Sequence, residues 1–224
     1  MTHPCRYLPG LLCVALLVAC QDRAPVAAGT PAQPTAAAPA SAPAGASRWD
    51  ASVVWEGDLN ACRQGDAAVS RDCLLQAMRQ GQASAAALAA AEQLSSGGEL
   101  AYVSSFHDYQ GVGVATVTYP FRANTNEGTR LIDSRGQRID VDADPIAGDT
   151  AADPALAALL QAHPGTTAFA PAQAAGSTPT EGGGMRLLYR TPLRQCHACA
   201  DAAQVQVGYD FDAQRRFVGK AVVP

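Results

Sequence analysis

Residues 112–120 read VGVATVTYP, and this stretch decides the fold class. Val, Thr and Tyr suit a pleated backbone. Apolar residues fall on both faces of the extended chain, so residues 112–119 predict a central strand covered on both sides. Pro120 has no N–H to donate to a ladder and closes the strand.

Upstream, residues 100–106 alternate loosely and predict a neighbouring strand. Before them, residues 66–80 place Val69, Cys73, Leu74, Ala77 and Met78 at three- and four-residue spacing, which predicts an amphipathic helix ended by Gly81. Ser84 is placed to cap a second, Ala-rich helix with Leu88, Ala91 and Leu94 along one face, stopped at residues 95–98. The pair predicts a helical hairpin. Downstream, residues 131–133 and 138–142 predict a β-hairpin, with Gly136 at the positive-φ turn position. Asp153 and Pro154 predict the cap and first residue of a short helix that buries Leu156, Leu159 and Leu160 and ends at Pro164-Gly165. Residues 171–184 are small and polar and predict a mobile loop. Residues 185–189, 205–211 and 216–223 predict the last strands, the final two joined around 212–215. Helices first and adjacent antiparallel strands after them predict an α+β domain, residues 48–224, with an N-terminal helical hairpin packed on a mostly antiparallel sheet. The order shows no βαβ alternation and no internal repeat of useful length.

The first fifty residues carry a different kind of information. Arg6 precedes an apolar run at residues 11–19, LLCVALLVA. That run is shorter than the roughly 20 residues a permanent transmembrane helix needs, and it matches the apolar core of a secretory signal. It ends in Leu17-Val18-Ala19-Cys20, which resembles the lipobox of bacterial lipoproteins at all four positions. The resemblance implies that residues 1–19 are a signal peptide cut before Cys20, that the Cys20 thiol carries a diacylglycerol, and that the new amino terminus is acylated. Two or three acyl chains hold a protein stably on a bilayer, at roughly 0.8 kcal/mol per buried methylene. The implied address is the cell envelope, facing the periplasm. Gln21 after the Cys resembles the outer-membrane rather than the inner-membrane sorting class. Residues 24–47 are Ala, Pro, Gly, Thr and Ser with a Gln and Val26, and carry no charge. They bury too little to offset chain entropy, so residues 20–47 predict a disordered, lipidated tether, reaching roughly 70 Å at most at about 3.1 Å per residue.

The chain has 224 residues and a formal net charge of −4. Lys220 is its single lysine and the arginines are scattered, which excludes a phosphate-binding surface for nucleic acid. Cys62, Cys73, Cys196 and Cys199 lie in the folded part; an even number in an exported chain predicts disulfides. Of the three possible connectivities, Cys62 with Cys73 and Cys196 with Cys199 is the simplest.

Cys196-His197-Ala198-Cys199 is the motif closest to chemistry. A Cys-x-x-Cys with a middle His resembles the pair of thioredoxin-like oxidants, whose first Cys sits at a helix start that lowers its pKa. Here residues 204–207 turn to strand, so the motif predicts a structural disulfide. Haem attachment needs a His at position 200, where Ala200 stands. His107 and His163 are not spaced to complete a zinc site, and His163 predicts a carbonyl cap at a helix end. Asp140, Asp142 and Asp144 resemble the opening of a calcium loop. Pro145 replaces the required Gly and Ala151 the closing Glu, so a solvated strand end is the better expectation. Residues 119–128, YPFRANTNEG, form a polar loop in which Arg122, Asn124 and Asn126 are the candidate ligand-binding residues, although Asn and Gly also build turns. Ser104, Ser105, His107 and Asp108 are nucleophile, base and acid types without a triad order, and no nucleophile elbow or His-Glu-x-x-His helix is present. No cofactor or metal is assigned. The expectation is a non-enzymatic, membrane-anchored binding or accessory module whose partner is an envelope protein, a glycan or a small ligand. The alternatives are a thiol–disulfide protein using Cys196 and Cys199, and an inhibitor or adaptor of an envelope enzyme.

Overall fold

Two antiparallel sheets, not one, form the body of the protein. The computed structural model describes residues 48–63, 69–145 and 153–223. These residues fall within one compact unit. The signal, the Cys20 box and the tether lie outside the described residues, as does the expected helix start at 66–68.

Short 3-10 turns at Ala51–Val53 and Asn60–Arg63 lead to helices α1, Arg71–Gln80, and α2, Ala85–Leu94. The Ser70 hydroxyl caps α1 by accepting from the Cys73 N–H, and Ser84 caps α2 through the Ala87 N–H. The first sheet is the meander β1 (Tyr102–Tyr109), β2 (Val112–Thr118), β3 (Glu127–Ile132) and β4 (Arg138–Asp140). Helix α3, Pro154–Ala162, follows; Asp153 caps it and Pro154 stands at its first turn. The second sheet holds β5 (Thr167–Ala168), β6 (Gln173–Pro179), β7 (Met185–Arg194), β8 (Ala203–Phe211) and β9 (Phe217–Val223). Strands β5 and β6 both pair with β7, and β7, β8 and β9 continue in order. The α+β class therefore holds, with the strands divided between two sheets.

The period of two along β2 explains the layering. Ala115 and Val117 point toward the helices, where Ala115 packs with Ala90 of α2, Trp49 and Ile132. Val112 and Val114 point the other way and join Leu131, Leu187, Tyr209 and Phe211 in the larger core between the sheets, with Leu156 of α3 at its side. A second cluster, built on Leu74, Leu75 and Met78, closes around Trp55. Sulfur–sulfur separations of 2.09 Å for Cys62–Cys73 and 2.12 Å for Cys196–Cys199 make both local disulfides.

Four expectations need correction. The mobile loop at 171–184 contains the seven-residue strand β6. Its ladder to β7 uses backbone groups, and as an exposed edge it needs no apolar pattern. Helix α2 buries Ala87, Ala90 and Ala91, while Leu88 and Leu94 are half-buried, because methyl side chains let it lie close to the sheet. Strand β7 runs through Pro192 to Arg194, with the Pro192 carbonyl accepting from the Phe169 N–H. His163 stands at the C-cap of α3, but the cap bond is made by its backbone N–H to the Leu159 carbonyl, not by its imidazole.

Candidate functional site

A cavity of about 220 Å³ opens where β1 of the first sheet faces β6 and β7 of the second. Val114, Leu187 and Tyr189 form its apolar floor, and His107 and Tyr109 stand at its rim. The cavity exists because of β6. Its residues opposite β1 are Ala174, Gly176 and Ser177, too small to fill the gap between the sheet edges, and Gly176 at φ 102° gives a left-handed backbone at a bulge. The Tyr109 hydroxyl and the Ser177 hydroxyl are 2.8 Å apart and join the two sheets across the rim. Burial pushes the Tyr189 hydroxyl up to about 12, so the floor stays uncharged at neutral pH. The imidazole of His107 is exposed and has no hydrogen-bond partner among the described residues. An apolar floor with a few polar groups at its edge is the usual composition of a small-molecule site.

The Asp142 carboxylate ties the first sheet to the segment that leads into β6. It accepts from the Thr129 N–H and the Ala172 N–H, each at 2.6 Å. Burial raises its pKa. The expectation of a solvated strand end fails at this residue, which is half-buried, while Asp140 pairs with Arg130 at 2.6 Å. Protein donors therefore engage both carboxylates, and the described residues hold no group of three metal-ligating side chains.

The candidates in the 119–128 loop do not converge. Arg122 is held by Glu99, both through Nε at 3.0 Å and through Nη2, and its guanidinium lies 3.6 Å from the Tyr119 ring centroid. Asn124 is exposed. Asn126 lines a separate polar cleft of about 230 Å³ with Arg63 and Tyr102. Ser105 bonds to Thr116 and Asp108 accepts from the Gly111 N–H. Adjacent residues of β1 face opposite sides of the sheet, so His107 and Asp108 do not share a site.

Cys196 and Cys199 lie in the β7–β8 turn, where the Cys199 N–H donates to the Cys196 carbonyl. Cys196 is exposed, and the His197 ring meets Phe169 edge-on at 5.8 Å. The chain then enters β8, so no helix dipole acts on either sulfur. The cavity-lining set of Tyr109, Val114, Leu187 and Tyr189 lies on strands far apart in sequence and was not legible as a site. Its one local signal is the run of small residues around Gly176, which reads as a loop.

Compared with known protein families, with curated proteins and with solved structures, the chain matches none. Among the described residues, no helix is long and apolar enough to cross a membrane.

Proposed function

We propose that the protein is a lipid-anchored, non-enzymatic binding module of the cell envelope, and that the cavity between its sheets receives a small ligand. The lipobox resemblance at residues 17–20 supports the anchor and an address facing the periplasm, with the outer membrane favoured by Gln21. The cavity carries the binding reading: its floor suits an aromatic or aliphatic body, and His107, Tyr109 and Ser177 suit one polar end. Two experiments test the two halves. Radiolabelled palmitate should enter the wild type and not Cys20→Ala; incorporation in neither removes the anchor. Benzamide, titrated against the labelled protein, should shift the Val114, Ala174 and Leu187 amides, and Ala174→Phe, which fills the cavity, should abolish those shifts. Absence of any shift there, or its persistence in Ala174→Phe, removes the cavity as the site.

The exposure of Cys196 favours a second reading, thiol–disulfide exchange at Cys196 and Cys199. Insulin reduction above background that disappears in Cys196→Ser would replace the first reading with it.

A further inference from the structure

A second pocket, of about 130 Å³, lies on the opposite face of the first sheet. Arg138 pairs with Ile132 and Asp140 with Arg130 in the β3–β4 ladder, and Ile132 packs with Trp49 and Ala90 on the helix side. The pocket is bounded by Trp49, Arg138, Asp140, Arg130 and the end of α2 at Gln93 and Leu94. Two of these cations behave differently. The Arg130 guanidinium is satisfied: Nη1 donates to Asp140 at 2.6 Å and Nη2 to the Tyr119 hydroxyl at 2.8 Å. Arg138 makes no ion pair among the described residues, and its Nη1 is buried without a hydrogen-bond partner among them. Its guanidinium lies 5.2 Å from the Trp49 ring centroid. Burial lowers its pKa, the mark of a cation removed from water without compensation. Nη1 is sealed from solvent, whereas Nε and Nη2 are not buried and also have no protein acceptor among the described residues, so they form the fork open to a ligand.

We infer that this pocket binds a small monoanionic carboxylate, with the anion on the Arg138 guanidinium and a short aliphatic group against Trp49 and Leu94. The charge count selects the anion. Two guanidiniums and one carboxylate line the pocket, leaving a single positive charge for a monoanion to neutralise; a dianion would leave an excess beside Asp140. The guanidinium fork matches a planar carboxylate. The volume, that of roughly four waters at about 30 Å³ each, holds a carboxylate and a short aliphatic group, with the rest of a longer ligand outside it. A free short-chain acid and a peptide carboxy terminus share this chemistry. The site is separate from the cavity between the sheets and does not depend on it.

The test follows the Trp49 indole and Arg138 Nε–H signals of the full-length chain in detergent, titrated with propionate, N-acetylalanine and inorganic phosphate. A saturable shift with a Kd on the order of 1 mM is expected for a carboxylate. Arg138→Gln should weaken it at least about ten-fold while leaving the remaining spectrum and the melting temperature intact, and Ala174→Phe should leave it unchanged. Tighter propionate binding assigns free acids, and tighter N-acetylalanine binding assigns peptide termini. No saturable shift with either carboxylate, an undiminished titration in Arg138→Gln, or tighter binding of phosphate overturns the inference. Where Arg138→Gln fails to fold, Arg138→Lys decides: it keeps the charge and loses the fork, so undiminished carboxylate binding in that variant also overturns it.

Discussion

Replacing Asp133 by Ala should cost far more than the same change at Asp212, although the two residues head matching turns. Each carboxylate opens a hairpin with a left-handed residue three positions on, Gly136 at φ 81° and Arg215 at φ 60°. Each Oδ1 accepts two backbone N–H groups, from Arg135 and Gln137 in one turn and from Gln214 and Arg216 in the other. Each Oδ2 accepts an arginine Nε. Only Asp133 reaches the other sheet, accepting from the Phe217 N–H at 3.1 Å, and only Asp133 is fully buried, at 0% exposure. In Asp133→Ala the Arg135 and Gln137 N–H groups lie at exposed residues where water replaces the carboxylate, so each loses about 0.5–1.5 kcal/mol. The Phe217 N–H is left without an acceptor at the junction of the sheets, at about 1–3 kcal/mol. Relief of the buried charge offsets part, leaving about 3 kcal/mol. For a folded part of this length that lowers Tm by about 6–12 °C. Urea unfolding at neutral pH with both single variants is the assay. If Asp212→Ala lowers the midpoint as much as Asp133→Ala, the cross-sheet bond is not what makes Asp133 matter.

Three further outcomes follow from the packing. Because the Asp142 pKa stands above its ordinary 3.8, the stability this group confers is complete below that value and is lost as pH rises through the raised one. Unfolding free energies of the wild type relative to Asp142→Asn should fall as the pH is raised from 3.8 toward neutral; a difference that stays constant over that rise would refute the assignment. A Cβ at Gly57 would stand 2.1 Å from Trp55 Cζ2, so Gly57→Ala should displace the indole and cost about 2–3 kcal/mol, visible as a shifted tryptophan emission. Opening Cys62–Cys73, whose cysteines are 11 residues apart, should cost about 2–3 kcal/mol in the chain-entropy model, read as a lower urea midpoint for the Cys62→Ser, Cys73→Ser pair.

Features set by neighbouring residues were legible in the chain. Ser84 and Asp153 cap helices where their spacing to apolar runs requires it, Gly136 takes the positive-φ turn position, and each cysteine pairs with its neighbour in sequence, 11 residues apart in one pair and 3 in the other. Features set by partners far along the chain were not. Nothing in β3 or β7 says that they belong to different sheets, because a strand with a hairpin beside it reads the same in either sheet. Strand β6 escaped because its ladder consists of backbone bonds and its side chains face solvent or the cavity. The cavity shares that cause, since small residues that look like loop are what hold it open. Arg138 is one of several scattered arginines until β4 turns it toward Trp49.

The turns that bind the sheets also bear on the cavity. Arg215 donates from Nε to the Gln110 carbonyl at 2.7 Å and from Nη1 to the Gly183 carbonyl at 3.2 Å, linking the β1–β2 turn to the segment before β7. The Arg215 carbonyl accepts from the Ser134 N–H, and Arg135 reaches the Phe217 carbonyl. Gln110 directly follows Tyr109, so the bond that fixes that turn also fixes the rim residue which meets Ser177. The rim is thus set by bonds within the protein, and under the proposed binding role little ordering would remain to oppose binding. The same stitching resists deformation: the rim cannot widen without breaking bonds at the sheet junction, so any ligand in the proposed site would have to fit the space that the small residues of β6 leave open.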